Sequence, residues 1–445
     1  MSDNFKKSLS KELIDKFASQ NGFVKRSSKL EGRHFVEMLM FANLNAIPVS
    51  LNDLSAYLLE EHQIAVSKQG VDNRFNVNAV DFLKGLLSAI MKENLQIDIP
   101  EKAAHGFKSM RIKDSTKWNL LDNCSKKYKG HGGYRANSSA MISVQYEYDL
   151  LNGDIIDLSL NPGTRNDLQD SKQVRDNIEE NDLLIRDLGY ISMGYLENVV
   201  DKKAYFLNKM PPQLGVYKQE DQSKKEDFVQ IAKLMKNKNL PYLDREVLVG
   251  YRKYLKCRMV VIRVPDNIYK QKLSEAKKKA KQRGHGVSDE YKARAMFNVY
   301  LTNVAQTKVP PEIVAELYRV RWQIELIFKV WKSLVNVNRL SQMKQERFEC
   351  QLLGKLIWLM VNWKVFSVIN GWMHQNNKEN RCSVWKFFKQ VRRKTEILRD
   401  VIWNGVDIEK WLMPLFIKAE SHLKLEKRKG KIPLSQIYNH FCELA

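Results

Sequence analysis

Cysteine is scarce and scattered. The five in this 445-residue chain, Cys124, Cys257, Cys350, Cys382 and Cys442, form no CxxC and have no neighbouring His pair. That argues against a zinc module or a disulfide framework and fits a reducing cytosol. The opening MSDNFKKSLSKEL is polar, so no secretory leader is expected. There is no Gly-rich phosphate loop, no Ser/His/Asp order, no internal repeat and no long low-complexity linker. Long apolar runs are almost missing too. The exception, LLGKLIWLMVNWKVFSVINGWM from Leu352, is interrupted by Lys355, Asn362 and Lys364, and so predicts a buried helix rather than a membrane span. Negative charge is in deficit: 51 acidic residues face 74 basic ones, for a net charge of +23 and a pI near 9.6. Such an excess, spread over the whole chain, points to a polyanion, with nucleic acid first, ahead of a merely soluble basic protein. The length supports a large core and two to four domains.

Up to about residue 100 the periodicity is helical. FKKSLSKELIDKFASQ, RHFVEMLMFANLNA, SLNDLSAYLLEEHQ and NAVDFLKGLLSAIMKE repeat apolar residues every three or four positions, with Ser50 and Asn78 placed as caps. Between the last two lies a short basic segment with Lys68, Gln69 and Arg74, where a recognition helix for a DNA groove could sit. From about residue 105 the period becomes that of strands. FKSMRIKDST aligns Met110, Ile112 and Asp114 on one face, placing a carboxylate at an expected strand end. Asn152-Gly153 joins two strand-like runs as a hairpin. A polar helix from Asp167 to about Asn181 follows, then DLLIRDLGY, in which Leu183, Ile185 and Asp187 share a face. A helix in SMGYLENVVDKK and a strand in AYFLNKM complete a mixed α/β order. Residues 212 to about 295 look inserted. They hold a basic hairpin-like pair in REVLVGYRKYLKCRMVVIRVPD and a lysine run, KQKLSEAKKKAKQRGHG, readable as a solvated helix face or as an arm that touches phosphates. FNVYLTNV is a further strand, and beyond residue 340 the chain reads as helical and Trp-rich.

The stretch PPEIVAELYRVRWQIELIFKVWKSL, from Pro310 to Leu334, predicts one continuous helix. At about 100° per residue, Tyr318, Arg321, Glu325 and Lys332 fall within an arc of roughly 60°. Val320, Trp322, Ile324, Leu326, Ile327, Val330 and Trp331 cover most of the rest, so the helix should be buried with one polar stripe. An Arg321–Glu325 ion pair would be a purely structural explanation of that stripe. Asp114, Asp187 and Glu325 are candidates for three converging carboxylates, which would need cations to share a small space. Hard oxygen donors suit Mg2+ or Mn2+, and two such ions serve phosphodiester transfer. Asp122, Asp149 and Asp154 are weaker candidates, expected in loops or solvated at a turn, and Asp167 is better explained as a helix cap.

Tyr318, Arg321, Glu325 and Lys332, in the spacing Y-x2-R-x3-E-x6-K within LYRVRWQIELIFKVWKS, resemble the signature of the bacterial DDE transposases of the insertion-sequence four family. IKDST around Asp114 and IRDLGY around Asp187 resemble that family's two aspartate motifs, in the right order. The resemblance covers roughly residues 105 to 335. It implies an RNase H-like mixed-sheet core interrupted by a β-rich insertion, with helical N- and C-terminal regions. The boundaries implied are 1–104, 105–211, 212–296, 297–340 and 341–445, the first being a helical DNA-binding module. Asp114, Asp187 and Glu325 would hold two Mg2+ or Mn2+ ions, and Tyr318, Arg321 and Lys332 would contact phosphates near a transposon terminus and a flipped base. The activity implied is cut-and-paste transposition through a DNA hairpin, on double-stranded inverted-repeat ends and target DNA, by a homodimer in the cytoplasm at the nucleoid with no membrane. The base-stacking aromatic of the insertion could be Tyr251, Tyr254 or Tyr300. A non-catalytic DNA-binding regulator, a structure-directed nuclease and a membrane-associated basic protein are the alternatives.

Overall fold

The computed structural model describes residues 9–25, 29–42, 44, 49–92, 107–132, 139–173, 177–250, 254–282, 284–339, 343–377 and 380–426. The first helices are α1 (Lys11–Gln20), α2 (Gly32–Phe41), α3 (Leu51–His62), α4 (Lys68–Arg74) and α5 (Val77–Lys92). A capping box between Ser50 and Asp53 starts α3, and Gln63, left-handed at φ 55°, ends it. The basic segment is helical: Ser67 caps α4 through Gly70 N. Lys68 and Gln69 are exposed there. Arg74 turns inward instead, donating to Leu30 O at 2.9 Å and lying 4.3 Å from the Phe23 ring centre. The cap of α5 is Asn76, which accepts from Ala79 N, rather than Asn78, whose amide donates to Gly22 O.

The strands and helices that follow are β1 (Ser109–Asn119), β2 (Met141–Asp149), β3 (Ile155–Pro162), α6 (Asp167–Gln173), β4 (Asp182–Arg186), α7 (Met193–Asp201) and β5 (Tyr205–Lys209). β1 does not stop at Asp114. Thr116 and Trp118 carry the buried face of Met110 and Ile112 onward, so the acid interrupts a continuing strand. The hairpin between β2 and β3 turns at Gly153, φ +78°. The inserted stretch holds β6 (Val216–Lys218), α8 (Phe228–Asn237), β7 (Tyr242–Gly250), β8 (Tyr254–Arg263), α9 (Asp266–Gln282) and α10 (Asp289–Ala295). β9 (Phe297–Thr302), α11 (Pro311–Arg319), α12 (Trp322–Ser333), α13 (Gln345–Asn376), α14 (Val384–Arg392), α15 (Thr395–Trp403) and α16 (Ile408–Lys418) complete the described chain. The mixed sheet has nine strands in the order β3-β2-β1-β4-β5-β9-β8-β7-β6, an α/β architecture consistent with an RNase H-like core.

The chain forms two compact units. One comprises Met1–Ala103, Ser115–Arg165 and Gln323–Asn439. Its centre is α13, long and apolar enough to cross a membrane by length and composition, with 94% of its apolar window buried inside the protein. Two of the polar interruptions donate to backbone carbonyls: Lys355 Nζ to Asn336 O at 3.0 Å and Asn362 Nδ2 to Trp358 O at 2.8 Å. Burial pushes the Lys355 ammonium down to about 8. At Gly354, α13 comes so near α2 that a Cβ would lie 2.5 Å from Leu39 Cβ and 2.8 Å from its carbonyl oxygen. Buried Glu37 of α2, 2% exposed, lies 3.2 Å from His62 Nε2 and 3.9 Å from Arg33 Nε, and accepts from Tyr57 Oη at 3.4 Å.

The other unit comprises Ala104–Asp114 and Asn166–Trp322 among the described residues. Here β1, β4 and β5 run parallel, while β5–β9, β9–β8, β8–β7 and β7–β6 pair antiparallel. The strands of the inserted stretch therefore extend the same ladder past β9. Leu184, Phe206, Val247, Met259 and Leu301 contribute to its core.

Candidate active site

The register between β1 and β4 runs from Ser109↔Asp182 to Lys113↔Arg186. The next residue on each chain is an aspartate, Asp114 and Asp187. Asp187 keeps an extended backbone, φ −75° and ψ 165°, as it leads into the short 3-10 turn Leu188–Tyr190. Matched positions on parallel neighbours face the same side of a sheet, so the two carboxylates leave it at one level. The ladder continues from β4 to β5 through Arg186↔Asn208, which puts Lys209 at the corresponding place on the third strand.

Side chains from the end of α11 and from the turn that follows it meet both acids. Tyr318 Oη donates to Asp187 Oδ1 at 3.3 Å, and Arg321 Nη1 donates to Asp114 Oδ2 at 2.8 Å. The Tyr318 ring is buried, 5.4 Å from that of Tyr300. Burial first, and the Asp187 charge second, hold its hydroxyl well above the ordinary phenol range, so it stays protonated and can only donate to an anion. Lys209 Nζ lies 5.5 Å from the same ring.

The single helix expected from Pro310 to Leu334 is in fact two. α11 ends at Arg319 and α12 begins at Trp322. At the junction Val320 N and Arg321 N bond to the carbonyls of Leu317 and Tyr318, three residues back, so the ladder tightens before it restarts. The 60° arc therefore does not carry across the break. Val320, Ile324, Ile327, Val330 and Trp331 are buried as expected, but Trp322, assigned to the apolar circumference, is 53% exposed. Glu325 and Lys332 lie on α12 in the unit that contains Gln323–Asn439, both half-buried. Lys332 Nζ donates to Lys117 O at 3.2 Å and lies 5.8 Å from the Trp118 ring centre, and burial lowers its proton affinity.

The other acids divide differently from expectation. Asp122 accepts from Ser139 N and Oγ. Asp149 is buried rather than solvated, because it closes the hairpin by accepting from Leu151 N and Asn152 Nδ2. Asn166 caps α6 through Gln169 N, and Asp167 instead lies against the Asp187 turn. A Cβ at Gly189 would stand 2.9 Å from Asp167 Oδ2, so glycine permits that approach. Of the tyrosines considered for stacking, Tyr300 is closed over by Tyr318, Tyr254 packs edge-on against Tyr217 at 5.2 Å, and Tyr251 is outside the described residues. Sequence reasoning passed over Lys209 and Trp322. The signal for Lys209 was its place at the end of AYFLNKM, the third strand of the parallel run.

The donor chemistry of Asp114 and Asp187 fits a hard divalent cation, Mg2+ or Mn2+: two carboxylates at one level require positive charge, which Arg321 supplies to one of them. Among the described residues no group of three His, Cys, Asp or Glu side chains is gathered closely enough to hold a metal by itself.

Comparison with known proteins agrees with this chemistry. The family described as "Transposase DDE domain" matches residues 105–361. The transposase for insertion sequence element IS231C of Bacillus thuringiensis subsp. berliner is 29% identical, over 96% of this chain and 92% of its own. That for IS231F of Bacillus thuringiensis subsp. israelensis is 28% identical over 92% and 88%, and that for IS1151 of Clostridium perfringens 27% over 81% and 79%. With the family match spanning more than half of its length, this chain belongs to the DDE transposases, enzymes that cut and transfer DNA.

Proposed function

We propose that Asp114, Asp187 and Glu325 are the catalytic carboxylates of this transposase and together hold two divalent cations, Mg2+ or Mn2+. What supports this most is the matched level of Asp114 and Asp187 on parallel strands, with Arg321 and Tyr318 donating to them. The DDE domain implies dependence on a divalent metal; bound there, such ions would activate water or a 3′-hydroxyl and stabilise the leaving oxygen of a phosphodiester. The protein's own groups do the rest. Arg321 can turn its fork from Asp114 to a phosphate as cations arrive. Tyr318, held protonated, donates a hydrogen bond to a phosphate oxygen and cannot act as a base at working pH. Lys332 adds a charge on α12, and the exposed indole of Trp322 offers a stacking surface to an unpaired base.

On this basis the enzyme nicks inverted-repeat ends, passes through a DNA hairpin, and joins the freed 3′ ends to target DNA, with two chains assembling both ends at the nucleoid in the cytoplasm. Residues 1–104 would recognise the repeats. α3, its turn at Gln63 and α4 present exposed Lys68 and Gln69 for a major groove, whereas Arg74 is committed to the interior. No membrane enters this scheme. The test is incubation of the protein with Mg2+, a linear duplex bearing the gene's own flanking repeats, and a plasmid target. Joined product is expected from the wild type, and loss of cleavage with retained DNA binding from Asp187→Asn and Glu325→Gln. Free ends without joined product would indicate a nuclease, and undiminished cleavage by Glu325→Gln would refute its assignment.

A further inference from the structure

The turn between β9 and α11 is held from the inserted stretch. Arg258 of β8 is buried, and every nitrogen of its guanidinium has a fixed partner. Nε and Nη2 fork onto Asp244 of β7, at 2.7 Å to Oδ1 and 2.6 Å to Oδ2. Nη1 donates to two backbone carbonyls, Val304 O at 3.3 Å and Val309 O at 2.7 Å. Those carbonyls stand at the two ends of one turn, within which Lys308 N and Val309 N both donate to Ala305 O. The entry of the turn is fixed in another way as well, since Asn303 accepts from Phe206 N and donates to Ala204 O. What Arg258 adds is the exit. Pro310 and Pro311 follow, and α11 starts with no side-chain cap. Its first turn has one further tie to the inserted stretch: Tyr242 Oη of β7 donates to Glu312 Oε1 at 2.6 Å.

We propose that Arg258 is a positioning residue for DNA cleavage: by fixing the exit of this turn it sets the direction of α11, and so the reach of Tyr318 to Asp187 and of Arg321 to Asp114. The inference rests on the catalytic assignment above and gives the inserted stretch a part in it. From Pro311 to Tyr318 the helix rises about 10 Å, so a tilt of about 10° at its base would carry Tyr318 by about 2 Å. Neither the 3.3 Å bond from Tyr318 to Asp187 nor the 2.8 Å bond from Arg321 to Asp114 would survive such a shift. Were Arg258 only the counter-charge of Asp244, the fork of Nε and Nη2 would complete its work, and Nη1 would have no need to bridge a turn of the chain leading into α11. Arg258 touches neither acid, so it acts on the reaction through α11 alone.

The test is single-turnover cleavage, at saturating Mg2+, of a duplex bearing the gene's own flanking repeat. The proteins compared are the full-length wild type, Arg258→Lys, Tyr318→Phe and the variant carrying both changes. Lysine keeps a charge beside Asp244 but cannot also reach both carbonyls. Arg258→Lys should therefore cleave about 10- to 100-fold more slowly while binding the duplex as the wild type does. The double variant should be no slower than Arg258→Lys alone, because the reach of Tyr318 is already lost. With fluorotyrosine in place of Tyr318, Arg258→Lys should also shift the fluorine resonance in the absence of DNA. An unmoved resonance, or a double variant slowed by the product of the two single effects, would overturn the positioning role. If Arg258→Lys fails to fold, Tyr242→Phe, at the exposed tie, runs the same cycle. A slowing of about fivefold that vanishes in the Tyr318→Phe background is expected, and one that is absent or persists there overturns the inference. Wild-type cleavage by Asp187→Asn refutes the catalytic assignment beneath it, whereas an inert Asp187→Asn together with multiplying defects refutes the positioning role alone.

Discussion

Tyr318 shows how one side chain can serve packing and chemistry at once. Its ring lies on Tyr300 while its hydroxyl reaches Asp187, so Tyr318→Phe separates the two roles. The variant should melt within about 1 kcal/mol of wild type, the typical net value of one hydrogen bond, and cleave more slowly; thermal denaturation and single-turnover cleavage would check this. A second residue, Glu37, sets a dependence on pH. Burial raises its carboxyl from 4.5 to about 7, so the folded state holds its proton more tightly, and this contribution to stability fades as pH rises from 4.5 through 7. Burial lowers the neighbouring His62 from 6.5 to about 4, so its contribution is present above 6.5 and fades as pH falls. The two oppose each other in weak acid. Glu37→Gln should leave His62 unopposed, and its melting temperature should fall more than that of wild type between pH 7 and pH 5. Alternation alone picked out Asp114 and Asp187 as acids on the buried face, but only Asp187 precedes a turn, whereas Asp114 lies within a strand that runs on to Asn119. Asp149 was misjudged because nothing local tells a solvated turn acid from one that closes its own hairpin.

At the scale of elements, periodicity anticipated the N-terminal helices, the β2–β3 hairpin and the long buried helix, since each buries one face or is apolar throughout. It did not anticipate the break between α11 and α12. Tyr318-Arg-Val-Arg-Trp322 contains no glycine or proline, so local propensity favours continuing the helix, and what interrupts it is the tertiary setting of Tyr318 and Arg321. The packing of α13 on α2 offers a sharper test. Gly354→Ala would place a methyl group against Leu39 and its backbone carbonyl, which cannot swing aside like the end of a side chain. Overpacking of this kind costs roughly 1–3 kcal/mol, to be read as a lower denaturant midpoint. Glycine's poor helix propensity works the other way by about 1 kcal/mol, so a more stable variant would contradict the close approach.

For the whole molecule, charge pointed to nucleic acid as the first partner and length to more than one domain, yet the grouping of segments was not readable. Nothing in residues 1–104 reveals that α2 and α5 pack on α13, which lies far beyond them in sequence at Gln345–Asn376, because long-range pairing leaves no local periodic trace. A fragment ending at residue 104 would expose the surfaces that α13 covers. It should unfold without a cooperative transition, monitored by circular dichroism, where the full-length chain melts cooperatively. The same reasoning bears on the inserted stretch. Because β8 is hydrogen-bonded to β9 along six residue pairs, from Arg258↔Thr302 to Arg263↔Phe297, the added strands are structural neighbours of the core rather than an appendage. Removing residues 212–296 would strip β9 of one partner and leave a bare row of amide and carbonyl groups, an invitation to sticky association between copies. Shortening this protein by excision would therefore trade a soluble enzyme for an aggregating one, even though every proposed catalytic acid would still be encoded.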